Sequence, residues 1–288
     1  MPFAPPLNRD DFRELTRQIT ATYKPQPAAL AAGMATVVEN HVVSAGEAPA
    51  VPSLAADDVY VVGAPSAYRL TQWKDSGEDW TAVNDRLELD IHGAASMTHI
   101  DTVEHFSWTG ASPNARGAGL EELARGGIMG RGVLVDVPGV LGVDVAGRPI
   151  TLPEVLETVA RSGIEFLPGD ALYFSFGRSA PAQSNVPLGS VPSSGLSIEC
   201  AEWLASLQPS VVVTDEGMDP VPSEVDGLIT PWHILILTVM GVPLVDRATL
   251  QNLAAACEAR KRWTFLSVIV PLPIALASGS PVNPLAVF

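Results

Sequence analysis

The chain has 288 residues, of which 47% are hydrophobic and 17% are charged, so it can bury a full globular core. Its formal net charge of −15 repels nucleic-acid phosphates and anionic membrane surfaces, which excludes both as expected partners. Two cysteines, Cys200 and Cys257, are too few for a disulfide framework, and no basic start with an apolar run marks a signal peptide, so we expect a cytoplasmic protein.

The sequence pattern of residues 1–80 predicts an N-terminal arm of helical and extended segments. We expect this arm to pack on the same domain as residues 81–288. Apolar side chains at Phe12, Leu15 and Ile19 recur at the spacing of a helix. Strand-like segments follow at 41–44, 59–62 and 86–91. The first part of the chain is therefore expected to be richer in strands than the remainder.

Helix and strand patterns alternate through the second half of the chain. A continuous apolar run over 132–137 is typical of a strand buried on both faces, and 152–162 has helical periodicity between Thr151 and Gly163. Further strands are expected at 171–176, 211–215 and 265–270, and further helices at 197–207, capped by Ser197, and at 249–262. This alternation predicts one α/β domain with a mixed sheet and flanking helices.

Three of the five histidines lie within fourteen residues, at His92, His99 and His105. In extended backbone the side chains of His99 and Asp101 emerge on one face, and a turn would bring His105 back over the same place. Imidazole and carboxylate groups are ligands that Zn²⁺ and Mn²⁺ accept. A bound ion would activate water, and a free histidine nearby would move protons. The cluster therefore predicts a functional site.

The segment from Thr98 to Phe106, Thr-His-Ile-Asp-Thr-Val-Glu-His-Phe, resembles the His-x-Gly-Thr-His-x-Asp-x-x-x-His signature of the cyclase family. That family includes bacterial kynurenine formamidases and isatin hydrolases. Segments that begin at Gly130, Leu167 and Gly195, and the tail from Ala275, are similar to family segments in the same order. The resemblance implies a swivelling β/α fold, a homo-oligomer (dimer or tetramer) and metal-assisted hydrolysis of an amide or lactam.

The motif departs from the family pattern at two positions. Ala95 stands where the family has its first metal-binding histidine, four residues before His99, and His92 is the only substitute, three residues too early. Ser197 stands where the family often supplies a further histidine. Catalytic zinc normally has three protein ligands. Two alternatives stay open: a divalent ion, Zn²⁺ or Mn²⁺, on His92, His99 and Asp101, or a site without metal.

His105 matches the family's catalytic base, and three hypotheses follow. The first is a hydrolase of a small amide, lactam or related C–N bond, with His105 as general acid and base. The second is a metal-independent cyclase or dehydratase of a natural-product, polyketide-like intermediate, in which Asp101 or Glu104 polarises His105. The third is a binding protein that has kept the fold and lost metal ligands.

Three further residues are candidates for the pocket of a small-molecule substrate. Phe106 and Trp108 follow the motif and could contact an aromatic or polyketide-like substrate. His233, at the start of the apolar segment 232–240, resembles a family histidine and is expected to approach the site. An acidic turn at 215–219 follows a buried strand, and a solvated loop is its favoured interpretation.

Overall fold

In the described residues, nine strands form one mixed sheet. The computed structural model describes residues 6–26, 32–33, 42–44, 59–61, 68–92, 97–109, 117–177 and 191–288. In order across the sheet, the strands are β1 (Val42–Ser44), β14 (Leu285–Val287), β12 (Thr264–Ile269), β6 (Ile128–Asp136), β8 (Ala171–Ser175), β10 (Val211–Thr214), β11 (Leu244–Asp246), β5 (His99–Asp101) and β13 (Gly279–Pro281).

The four neighbouring strands β6, β8, β10 and β11 run parallel to one another, and the strands on either side pair antiparallel. Every residue of β8 and β10 is buried. Strands buried on both faces lack polar alternation, which is why continuous apolar runs predict them. The α/β fold with a mixed sheet and flanking helices is thereby confirmed.

Helices cover the sheet and connect its strands. They are α1 (Arg9–Thr22), α2 (Leu120–Gly126), α3 (Val137–Leu141), α4 (Leu152–Ser162), α5 (Ala201–Ser206), α6 (Pro231–His233) and α7 (Gln251–Arg260). A 3₁₀ turn at Ile198–Cys200 precedes α5, and a π-helix at Ile234–Met240 continues α6. Helix α4 has the predicted bounds because Thr151 and Glu154 form a capping box and Gly163 ends the helix with a left-handed φ of 63°.

Helix α1 attaches the N-terminal segment to the main body. The side chain of Asn8 caps it by accepting the N–H of Asp10 at 2.9 Å. Phe12 and Ile19 are fully buried, as their spacing predicts, and α1 packs against the π-helix. At the end of this segment, the Tyr23 hydroxyl donates to the carbonyl of Pro209 at 3.2 Å.

A smaller antiparallel sheet is separate from the main one. It contains β2 (Val59–Val61), β3 (Tyr68–Ser76) and β4 (Thr81–Leu89). The boundary drawn between residues 80 and 81 falls in the turn that joins β3 to β4, and β1 belongs to the main sheet through β14. The segment 1–80 therefore contributes strands to both sheets. A short parallel pair, β7 (Pro149–Ile150) and β9 (Gly195–Leu196), completes the strands of the described residues.

Ser197 does not cap a helix, contrary to the sequence prediction. Its hydroxyl donates to Glu224 at 3.1 Å, and the N–H of Ile198 donates to the other carboxylate oxygen of Glu224 at 2.7 Å. The carboxylate of Glu224, which is distant in the chain, thus accepts the N–H that a capping residue would accept. No local sequence pattern predicts this bond. Within the described part of the chain, no helix is long and apolar enough to cross a bilayer.

Candidate metal and catalytic site

Strand β5 places His99 and Asp101 on one face near an edge of the sheet. It pairs with β11 on one side and β13 on the other, so that His99 lies opposite Asp246 and Asp101 opposite Leu244. Ile100 points to the other face, where it is fully buried. The two-residue spacing therefore has the consequence expected for extended backbone.

Four histidines surround the carboxylate of Asp101. Its Oδ1 atom lies 2.9 Å from Nδ1 of His92 and 3.4 Å from Nε2 of His99. Its Oδ2 atom lies 3.8 Å from Nε2 of His105 and 3.7 Å from Nε2 of His233. The structure thus brings together the three histidines of the motif and one that is distant in the chain.

The donor atoms of this cluster fit a divalent cation. Asp101 is 1% exposed, yet neither carboxylate oxygen accepts a hydrogen bond from the described residues, and Nδ1 of His92 also has no hydrogen-bond partner there. Nδ1 of His99 bonds the carbonyl of Met97 at 2.8 Å, so it carries the proton and Nε2 offers a lone pair. Lone pairs that converge on a buried carboxylate are costly unless a cation lies between them.

Two sets of three donors share Asp101. One set is His92, His99 and Asp101, and the other is Asp101, His233 and Asp246, with the donor atoms of each set within 4.8 Å of one another. Asp246 lies at the end of β11, with Oδ2 3.1 Å from Nε2 of His233, and its Oδ1 accepts the Thr214 hydroxyl at 3.0 Å. Histidine and carboxylate donors in threes are typical of catalytic metal sites.

The electrostatic setting separates His105 from His233. Burial lowers the pKa of His105 to about 4, against the opposing effect of Asp101, so its ring is neutral at pH 7. Burial also lowers the pKa of His233, but the carboxylates of Asp246 and Asp219 outweigh burial and raise it well above 6.5. The same His233 lowers the pKa of Asp246 despite burial.

His92 has a well-defined position. Its Nε2 atom is 3.2 Å from the Ser278 hydroxyl, and its ring stacks on His105. Gly279 leaves the necessary room, because a Cβ atom there would approach Cε1 of His92 to 2.5 Å and the carbonyl oxygen of Ile100 to 2.6 Å. Ala95, which occupies the family's ligand position in sequence, lies outside the described residues.

The remaining predicted residues divide between the site and its surroundings. Phe106 touches both His105 and His233, with ring centroids 4.8 and 5.2 Å away. Trp108 packs edge-on against Phe12 of α1 at 5.7 Å. Phe106 is thus part of the site, whereas this contact of Trp108 is with the core.

Glu104 has different surroundings from the histidines of the motif. Its side chain is exposed and accepts the Thr102 hydroxyl, and a Cβ atom at Gly119 would lie 2.1 Å from its Oε1. Among the described residues, no ion pair joins Glu104 to a histidine. A cavity of about 510 Å³ lies beside Glu104 and is lined by Leu120, Glu121, Glu122, Arg125, Leu276 and Ala277, and by none of the four histidines.

Two candidate functional residues, Asp246 and Asp219, were not predicted from the sequence. Asp246 had a usable signal, because parallel strands β6, β8 and β11 end on the oxygen-bearing residues Asp136, Ser175 and Asp246, and sites gather at the carboxyl ends of such strands. Asp219 belongs to the acidic turn interpreted as a solvated loop. It is only 8% exposed and bonds His233, so that interpretation is wrong for Asp219.

The mixed sheet and a cluster of histidines around a buried aspartate define an α/β protein with a potential metal site. The family model described as "Putative cyclase" matches residues 18–218. The chain therefore belongs to the cyclase family, which confirms the resemblance seen in its motif.

Solved structures share this fold. A novel cyclase is 22% identical with a TM-score of 0.70, and the alignment covers 95% of this chain and 94% of the other. Isatin hydrolase A from Ralstonia solanacearum is 20% identical with a TM-score of 0.60, covering 89% and 95%. A potential metal-dependent hydrolase with cyclase activity is 17% identical with a TM-score of 0.51, covering 85% and 96%. No curated protein sequence matches the chain.

Proposed function

We propose that this chain is a hydrolase of the cyclase family that cleaves a small amide, lactam or related C–N bond with the help of a divalent ion, Zn²⁺ or Mn²⁺. The observation that carries the proposal is the buried carboxylate of Asp101, whose oxygens accept no hydrogen bond from the described residues and face four histidines. A cation would offset the cost of that burial. The structural relatives described as hydrolases support the same class of reaction.

His92, His99 and Asp101 are the proposed ligands, and His233 and Asp246 extend the donor set on the other side of Asp101. When bound there, a divalent ion would supply Lewis acidity toward the scissile carbonyl and lower the pKa of water. The protein's own contribution is to hold the donors in place, through Met97 for His99 and Ser278 for His92.

His105 is the proposed proton carrier. It is the one motif histidine in neither set of three donors, and Phe106 packs against the edge of its ring. In the hydrolysis, water adds to the carbonyl carbon while His105 accepts a proton from it. The C–N bond then breaks as His105 returns that proton to the leaving nitrogen, so the proton balance closes within the site.

The surroundings fit a small substrate. Phe106 offers an aromatic surface between His105 and His233. We infer an organic substrate that packs on Phe106 and brings its scissile bond to Asp101 and His105.

The test combines metal analysis with a panel of substrates. Protein purified without chelator is expected to contain a divalent ion and to hydrolyse at least one aryl formamide, lactam or cyclic imide, with activity lost on chelation and restored by Zn²⁺ or Mn²⁺. Asp101→Asn should lose both the ion and turnover, whereas Asp170→Asn, which alters a buried carboxylate paired with Arg131, should keep the ion. Turnover that survives chelation and depends on His105 would instead favour the metal-independent cyclase or dehydratase.

A further inference from the structure

The carboxylate of Asp219 holds both the backbone and the ring of His233. Its Oδ1 atom accepts the N–H of Trp232 at 2.6 Å, and its Oδ2 atom accepts the N–H of His233 at 3.3 Å. Oδ2 also bonds Nδ1 of the His233 ring at 2.5 Å. One buried side chain therefore fixes where α6 begins and how the imidazole is turned.

The opposite ring nitrogen faces the candidate metal site. Nε2 of His233 lies 3.1 Å from Asp246 and 3.7 Å from Asp101. We propose that Asp219 is a positioning residue: by binding the Nδ1 proton, it leaves Nε2 as the nitrogen that donates to a cation held with Asp101 and Asp246. This inference rests on the proposed function, since it assigns Asp219 a part in cation binding.

The helix after His233 supports this assignment. Ile234–Met240 is a π-helix in which every residue is buried, and the Thr238 hydroxyl donates to the carbonyl of Phe106 at 3.3 Å. π-helical turns are rare and occur frequently at functional sites. Asp219 at one end and the packed π-helix at the other leave the His233 ring little freedom. Carboxylates that bind the second nitrogen of a metal-ligating histidine commonly set its tautomer.

Asp219→Asn is the informative substitution. The asparagine oxygen can still accept the N–H of Trp232, which is the shorter of the two backbone bonds at the start of α6. Its amide N–H₂ then faces Nδ1 of His233, which must become the acceptor, so the one proton of the neutral ring lies on Nε2. The variant thus blocks the proposed donor atom, and it also loses the bond to the backbone N–H of His233, a loss that is shared in the His233→Gln background.

The experiment is a double-mutant cycle on metal affinity. Asp219→Asn should raise the Kd for Zn²⁺ by about 10- to 100-fold in the wild-type background, which is the usual cost of losing such a partner. In the His233→Gln background it should change Kd less than about twofold, because coupled residues are not additive. Equal losses in both backgrounds would overturn the proposal and assign Asp219 a purely structural role. Asp215→Asn, a neighbouring carboxylate that accepts the N–H groups of Phe176 and Gly177, is the matched control.

A second measurement does not depend on metal. In the metal-free protein, at a pH above the raised pKa of His233 where the ring carries a single proton, ¹⁵N spectra of labelled histidine should show that proton on Nδ1, and Asp219→Asn should move it to Nε2. A proton that stays on Nδ1 in the variant would overturn the positioning role. If the wild-type protein binds no divalent ion, the proposed function fails, and the ¹⁵N spectra alone decide the role of Asp219.

Discussion

The imidazole rings of His92 and His105 lie parallel, with centroids 3.8 Å apart and an angle of 12° between their planes. His92 also faces Asp101 through Nδ1, so it contacts the proposed metal site and the proposed proton carrier at once. This stacking links two roles that the family motif assigns to separate residues. A change at His92 should therefore affect both metal binding and the orientation of His105.

If His92 is a metal ligand, its removal should weaken metal binding. His92→Ala should weaken Zn²⁺ binding by more than about 100-fold, because loss of a ligand costs more than loss of its outer partner. Calorimetric titration with Zn²⁺ measures the effect. His41→Ala is the control, since His41 lies outside the motif. Unchanged affinity in His92→Ala would remove His92 from the ligand set.

A rescue tests whether His92 replaces the family's usual ligand. In the His92→Ala background, Ala95→His restores a histidine at the spacing of the family motif, four residues before His99. We expect Zn²⁺ affinity to return to within about tenfold of the wild type. A variant that folds but gains no affinity would show that His92 occupies a place unavailable from position 95.

Glu154 provides a prediction for stability and pH. The hydrogen bond from Arg148 is the main reason that the pKa of Glu154 is lowered to about 2. A depressed pKa stabilises the fold above the unfolded value near 4.5, and that contribution is lost as the pH falls from there toward 2. Glu154→Gln should lower the free energy of unfolding by about 1 kcal/mol at pH 7.

Urea denaturation at pH 7 and at pH 3 measures this difference. The difference in free energy of unfolding between Glu154→Gln and the wild type should be smaller at pH 3 than at pH 7. Glu157→Gln is the matched control on the same helix, because its pair with Arg161 is solvent-exposed and screened. A gap that stays constant with pH would assign the effect of Glu154 to packing rather than to its charge.

Local signals explain what the sequence could predict. Helix α4 has its start, its end and its capping residues within thirteen positions, from Thr151 to Gly163, and the structure places them as expected. His99 and Asp101 share a face because strand geometry requires it. The ring of His105 lies close to His99 and Asp101 because a turn follows β5 directly. In this turn the backbone N–H of His105 donates to the carbonyl of Thr102.

Long-range contacts explain what the sequence could not predict. Asp246 and Asp219 lie more than one hundred residues from Asp101, and only the pairing of β5 with β11 and the bond to His233 bring them near. Ser197 fails as a cap because Glu224, far along the chain, binds the N–H of Ile198 instead. Such contacts depend on strand order, which periodicity does not encode.

We expect the carboxylate of Asp101 to lower the stability of the metal-free protein while it is required for metal binding. In the metal-free protein its buried carboxylate accepts no hydrogen bond from the described residues, so Asp101→Asn is expected to raise the free energy of unfolding by about 1–3 kcal/mol at pH 8. The same variant should bind no Zn²⁺. Urea denaturation in the presence of a chelator measures the stability. A metal-free variant less stable than the wild type would show that the contacts of Asp101 with the four histidines outweigh the cost of its burial.

His105 and Glu104 are adjacent in sequence, but the structure gives them different surroundings. His105→Gln should lower kcat by about 100-fold or more on any substrate of the panel, because proton transfer to the leaving nitrogen is lost. Its affinity for Zn²⁺ should stay within about threefold of the wild type, since His105 is not in either donor set. Glu104→Gln should keep nearly full kcat, because its carboxylate bonds Thr102 rather than a histidine. If Glu104→Gln loses as much activity as His105→Gln, the two residues act together, and the separation seen in the structure does not describe the working site.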